Sequence, residues 1–313
     1  MSNDTAFPSV LKLSFAGGPH PNEDRAVCAE HAGIRLMAAF DGCGGVGGRR
    51  YPQLKNHTGA YIAAGLYADC LREWFAHSAA DLPRAHTAED LGALFRQAAH
   101  EYYAKYLGNM HTAVTGSMVR TLPSTTVIAL IFENDAALYW AGNTRGYLLT
   151  DAGLKQLTGD DLIGQCDAFE SLYLDAPIAN YLCADQPFTL HEKMIALPQK
   201  GVLILATDGA YHALPTPMHF EAMLENTMQK SSAKKQWETL LTEALIKRAA
   251  DDVTLVLQPF GFHKHEELGA FFDKRRRHVQ QAYILPADQA EPGNRLALKS
   301  LWEMYQKEQA GYV

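Results

Sequence analysis

The chain has 313 residues, 47% hydrophobic and 20% charged, which provides for one large core and excludes global disorder. A net charge of -7 excludes a general nucleic-acid binder, which gathers Lys and Arg, and suits a protein that recruits divalent cations. The five cysteines, Cys28, Cys43, Cys70, Cys166 and Cys183, are odd in number and form no C-x-x-C pair, so reduced thiols in the cytoplasm are expected rather than a disulfide framework or a zinc knuckle.

Met1 to Val10 lacks a basic start followed by an apolar stretch, so no secretion signal is expected. No apolar run is long enough for a bilayer, so no membrane association is expected either. Strand-like runs cover Ser9 to Ala16 and Ile34 to Phe40, with Ala26 to Glu30 pairing with the second. The glycine-rich stretch Gly42 to Gly48 breaks regular structure. Thr58 to Ala76 and Ala88 to Leu107 carry apolar residues on a helical period. Ser124 to Phe132, Ala137 to Ala141 and Arg145 to Thr150 read as strands joined by turns at Asn134-Asp135 and Gly142-Asn143.

Thr158 to Lys193 has no clean period, and loops of that length are functional or mobile. Gly201 to Ala206 is a short apolar strand, Phe220 to Gln229 and Lys234 to Ala249 are helical, and Asp252 to Leu257 is a last strand. Asp273 to Gln280 and Arg295 to Glu308 are helical, with Lys274-Arg275-Arg276-Arg277 read as a solvated face. The division expected is a main domain over 1–260 and a C-terminal helical extension over 261–313. This order of elements is α+β and suits antiparallel sheets flanked by helices.

Acidic residues recur where an apolar run meets a turn. Asp41 ends Leu36 to Phe40 and precedes Gly42; Asp208 ends Val202 to Thr207 and precedes Gly209. Asp251 and Asp252 precede Val253 to Leu257, and Glu23 and Asp24 lie just before a strand. Any single Asp-Gly is turn chemistry. Together they are hard oxygen ligands on rigid strand ends, suited to magnesium or manganese, with the glycines allowing close approach of an ion.

Asn22-Glu23-Asp24, Phe40-Asp41-Gly42-Cys43-Gly44-Gly45, Ser124-Thr125-Thr126, Gly142-Asn143-Thr144-Arg145-Gly146, Ala206-Thr207-Asp208-Gly209 and Asp251-Asp252-Val253-Thr254 resemble, in order and spacing, the motif series of type 2C metal-dependent protein serine/threonine phosphatases. The resemblance runs from about Ser9 to Leu257. It implies a central antiparallel β-sandwich with helices on both outer faces and two Mn2+ or Mg2+ ions at one end. The ions would bridge a water that attacks phosphorus in line. It also implies that Asp41 bridges both ions, that the Gly42 carbonyl joins one, that Asp208 and Asp251 ligate the other and that Glu23 acts through water. Asp24 and Thr125 would support them from behind. The implied substrate is a phosphoprotein, and the implied counterpart a serine/threonine kinase.

The chain departs from that pattern. Pro19 stands where the family has its phosphate-gripping Arg, which leaves Arg25, Arg49, Arg50 or His20 for the task, with Arg49 and Arg50 on the glycine-rich loop preferred. Cys43 replaces a His proposed as general acid. Asn143 and His212 replace carboxylates of a third metal site, so two ions are expected rather than three. These departures keep open a pseudophosphatase that only binds a phosphoprotein or partner. Cys43 to Arg49 also fits the C-x5-R loop of cysteine-dependent phosphatases, in which a thiolate attacks phosphorus.

Overall fold

A computed structural model describes residues 10–78, 88–108, 120–164, 166–174, 176–291 and 293–310. Ser9 and the stretch before it, read above as a strand start without a secretion signal, lie outside these residues. The strands are β1 (Leu11–Phe15), β2 (Arg25–His31), β3 (Ile34–Gly42), β4 (Arg50–Tyr51), β5 (His57–Thr58), β6 (Ser124–Ile131), β7 (Asp135–Ala141), β8 (Arg145–Thr150), β9 (Gly153–Gln156), β10 (His191–Ala196), β11 (Gly201–Ala206) and β12 (Val253–Phe260). The helices are α1 (Gly44–Gly47), α2 (Gly59–Ser78), α3 (Ala88–Tyr102), α4 (Asp208–His212), α5 (Pro217–Lys230), α6 (Lys234–Ile246), α7 (Glu266–Val279), α8 (Leu285–Gln289) and α9 (Arg295–Ala310).

Two antiparallel sheets are ordered β1-β12-β11-β8-β9 and β10-β7-β6-β3-β2. Strands buried on both faces explain the uninterrupted apolar runs. In β3, Leu36, Ala38 and Phe40 pack under α2 and α3, while Met37 and Ala39 point between the sheets. In β11, Val202, Ile204 and Ala206 pack towards the helices on the other side, while Leu203 and Leu205 point between the sheets. The result is the expected helix–sheet–sheet–helix sandwich. Period alone missed β9 and β10, which are short and half-polar.

The stretch after 260 is packed rather than pendant. Leu268 and Phe272 of α7 belong to the same cluster as β11 and β12. Val279, Tyr283, Ile284, Trp302 and Tyr305 close a further cluster with Phe169 and Met218. Arg275 is not on a solvated face: it is buried, with Nε donating to Glu221 Oε1 at 2.8 Å and a further pairing to Glu308. Among the described residues, no helix is long and apolar enough to cross a membrane.

Candidate metal centre

Register brings the acidic strand ends to one end of the sandwich. Phe40 pairs with Arg25, so the end of β3, with Asp41, meets the start of β2, with Glu23 and Asp24. Ala206 pairs with Leu255, so the end of β11, with Asp208, meets the start of β12, with Asp251 and Asp252. Asp41 lies opposite Thr125 on β6, and Arg145 at the start of β8 lies opposite Ala206. A cleft of about 330 Å³ is lined there by Glu23, Asp41, Gly42, Thr125, Asp208, Asp251 and Asp252, with His20, Cys43 and Val46 on its rim and Pro177, Ile178 and Tyr181 opposite. An adjoining cleft of about 420 Å³ shares Asp208 and Asp251 and adds Asn143, Tyr211 and His212.

The glycines that follow the aspartates also make room for neighbouring backbone. A Cβ on Gly42 would lie 2.5 Å from the Ala60 carbonyl oxygen, and one on Gly209 would lie 2.0 Å from that of Asp252. They let neighbouring backbones close in, and that closeness fixes the carboxylates.

The supporting bonds are specific. Asp252 accepts the backbone N–H of Gly17 at 3.0 Å and of Glu23 at 2.6 Å, stitching the loop after β1 to the metal end. The Thr58 hydroxyl donates to Glu23 Oε1, while Thr58 also accepts the Tyr61 N–H in the first turn of α2 at 3.1 Å. Thr207 Oγ1 donates to Asp24 Oδ2 at 2.8 Å, and Thr125 and Thr144 share a hydroxyl bond of 2.5 Å. Asn143 Nδ2 donates to Asp208 Oδ2 at 2.9 Å, and its carbonyl accepts the Tyr211 hydroxyl at 2.9 Å. Arg145 is buried against Asp160, with Nη2 at 2.6 Å from Oδ2, and lies 3.8 Å over the Tyr211 ring. Asp252 and Thr144 lie inside the motifs, but the resemblance gives them no role there, and Thr58, just before α2, belongs to none of them.

The carboxylates at this end repel one another. Burial first, then Asp208, Asp24 and Asp251, push the Asp41 carboxyl well above the usual carboxylate range. Burial raises Asp24 well above it too, opposed by its Thr207 hydrogen bond and reinforced by Asp208. Glu23 and Asp251 are raised by burial, Glu23 against the bond from Thr58 and Asp251 with further help from Asp208. Two buried oxygens, Asp24 Oδ1 and Asn143 Oδ1, have no hydrogen-bond partner. An all-oxygen set under mutual repulsion, with orphaned oxygens beside it, fits hard divalent ions. Among the described residues, no group of three or more His, Cys, Asp or Glu stands in metal-holding geometry.

The arginines expected to grip phosphate are not among the residues lining the cleft. Arg25 Nη1 donates to the backbone oxygens of Asn22 at 2.7 Å and Asp24 at 2.6 Å, and its guanidinium sits 4.4 Å over Tyr61. Arg49 stacks on Tyr51 at 5.4 Å, and Arg50 Nη1 donates to the Asn56 carbonyl at 3.1 Å. Among the described residues, His20 is the only basic side chain lining the cleft. The environment of Cys43 does not favour the cysteine-dependent alternative. Burial, with Asp41 and Asp208 beside it, pushes the Cys43 thiol well up, whereas a nucleophilic cysteine needs a depressed value.

Solved structures share this architecture. The serine/threonine phosphatase Stp1 of Staphylococcus aureus is 19% identical, with 82% of this chain and 96% of that chain covered at a TM-score of 0.62. The Mycobacterium tuberculosis serine/threonine phosphatase PstP is 22% identical, with 81% and 99% covered at 0.58. PppA of Pseudomonas aeruginosa, a regulatory component of the T6SS, is 21% identical, with 81% and 99% covered at 0.56. This is the type 2C-like fold of bacterial serine/threonine phosphatases. At these identities the likeness is one of fold. No family model matches the sequence, and no curated protein does. Part of this chain lies outside each match.

Proposed function

We propose that the chain is a metal-dependent protein serine/threonine phosphatase. One observation carries the reading: Glu23, Asp41, Asp208 and Asp251, from separate strand ends, line one cleft at one end of the type 2C-like fold. Asp41, the Gly42 carbonyl, Asp208 and Asp251 would hold two Mn2+ or Mg2+ ions, with Glu23 acting through water. Bound there, such ions supply a water acidic enough to attack phosphorus near neutral pH. The chain's own residues do the rest. Asp252 and Thr58 hold Glu23 in place from its backbone and its carboxylate. Asp24 and Thr125 support the ligands, and His20 is the basic side chain in the cleft lining that a phosphate could meet. The Cys43 thiol, pushed well up, is a poor proton donor to a leaving group. The substrate is a serine- or threonine-phosphorylated protein, the product of a kinase. A cytoplasmic setting suits five cysteines that are all free.

A binding-only protein is the second reading, favoured by the absence of any arginine from the cleft lining. Hydrolysis of p-nitrophenyl phosphate and of a phosphothreonine peptide, with manganese and with EDTA, separates them. Metal-dependent turnover that Asp208→Asn removes supports the enzyme. Binding of the peptide with no turnover of either substrate supports the second reading.

A further inference from the structure

The cleft has one wall that belongs to neither sheet. Ser171, Leu172, Tyr173 and Leu174 face the adjoining cleft beside Asp208 and Asp251. They lie in and just after a single 3₁₀ turn, Glu170–Leu172, in a segment outside the named strands, so its position depends on side-chain ties.

The strongest of those ties come from the last helix. Trp302 Nε1 of α9 donates to Asp167 Oδ2 at 2.9 Å, and Lys299 Nζ, one turn earlier, donates to Glu170 Oε1 at 2.7 Å. Phe169 between them is fully buried, packed in the cluster that contains Trp302, Tyr305 and Tyr283. The other oxygen of Asp167 accepts the N–H groups of Phe169 at 2.9 Å and Glu170 at 2.8 Å. One carboxylate therefore both shapes the turn and docks it on α9. Arg295, at the start of α9, lies 4.6 Å over the Tyr173 ring. On the other side, Arg145 Nη2 donates to Ser171 Oγ at 2.8 Å. The wall is thus suspended between the Arg145–Asp160 pair of the metal end and the C-terminal helix.

We infer that α9 sets the position of the substrate-facing wall, with Trp302 and Asp167 as the positioning pair. The wall stands beside the carboxylates rather than among them. A small phosphate ester needs only the carboxylate end, whereas a phosphorylated polypeptide must also pass along the wall. Loosening the pair therefore affects the polypeptide and spares the small ester. That part of the inference rests on the phosphatase reading.

The test uses the full chain with Trp302→Phe, which keeps an aromatic ring but loses the N–H, and Asp167→Asn, which keeps the shape but loses the acceptor. Hydrogen exchange is followed at 168–174 and in β11 and β12, and KM is measured for p-nitrophenyl phosphate and for a phosphothreonine peptide. Either variant is expected to speed exchange at 168–174 by about tenfold while leaving β11 and β12 unchanged. The peptide KM is expected to rise by about threefold or more, with kcat and the small-ester KM unchanged. Unchanged exchange at 168–174, an equal rise across β11 and β12, or an equal loss on both substrates overturns the inference. If the unmodified chain hydrolyses neither substrate, the phosphatase reading falls, and the exchange pattern alone decides whether α9 holds the wall.

Discussion

Asn143 donates its side-chain amide to Asp208 at 2.9 Å, across the turn between β7 and β8 and the start of α4. The motif series that this chain resembles has a carboxylate at this position, whereas here the side chain donates. The amide hydrogen neutralises part of the charge on Asp208 without any ion, and a third ion would have to displace it. Asn143→Asp reverses the sign of that contact. Without metal it places another carboxylate beside Asp208 and is expected to lower stability by about 2 kcal/mol. With His212→Asp added, manganese should restore the loss and shift the metal dependence of turnover. Thermal melts of the double variant with and without manganese check this; a melt insensitive to manganese would show that no further site had formed.

The missing arginine leads to a second expectation. Arg25, Arg49 and Arg50 are turned to backbone oxygens or aromatic rings, while His20 lines the cleft with Nδ1 3.7 Å from Asp252 Oδ1. His20→Ala is expected to lower kcat/KM for phosphate esters by about tenfold, equivalent to about 1.4 kcal/mol. Arg49→Ala and Arg50→Ala should leave it within about twofold, since neither group reaches the substrate. Steady-state kinetics on the three variants decide the matter, and a large loss in either arginine variant would return the phosphate grip to the glycine-rich loop.

Ligands and their supports should separate in kinetics. Asp208→Asn or Asp251→Asn removes negative charge but little volume, so manganese-dependent hydrolysis should disappear while the fold persists. Asp252→Ala removes no proposed ligand. It frees the Gly17 and Glu23 amides that Asp252 now holds, and is expected to weaken manganese binding by about tenfold while leaving turnover at saturating metal. Titration calorimetry with manganese, alongside activity, tells the two classes apart. Full activity in Asp208→Asn would remove the metal assignment altogether.

Much of this was readable in the residues because strand ends leave local marks. The runs before Asp41 and Asp208 fixed strands and turns together, and antiparallel pairing of β2 with β3 and of β11 with β12 then obliged the acidic ends to meet. What local pattern could not supply was loop direction. Arg49 and Arg50 follow the glycine-rich loop, yet their partners are the Tyr51 ring and the Asn56 carbonyl rather than the cleft. The basic run Lys274 to Arg277 looks solvated on charge alone, but burial of Arg275 depends on Glu221, 54 residues earlier. Contacts of that range have no local signature, and the tie between Asp167 and Trp302, 135 residues apart, is of the same kind.

The same C-terminal packing predicts a pH dependence of stability. Glu225 on α5 is fully buried, and neither carboxyl oxygen has a hydrogen-bond partner. Burial, reinforced by Glu221 and opposed by Arg275 and Arg276, pushes its carboxyl up from 4.5 to about 9. The folded protein therefore holds a proton that the unfolded chain releases above its own value. The contribution of Glu225 to stability is complete below pH 4.5 and is lost progressively as pH rises towards about 9. Glu225→Gln keeps the shape and cannot ionise. It should match the parent near pH 5 and become more stable than it by on the order of 2 kcal/mol at pH 8. The metal-site carboxylates titrate in both proteins, so the difference between the two denaturation curves isolates Glu225. Urea melts across this range check the slope of that difference; a gap that stays constant with pH would mean that Glu225 keeps its charge in the folded protein, held by Arg275 and Arg276.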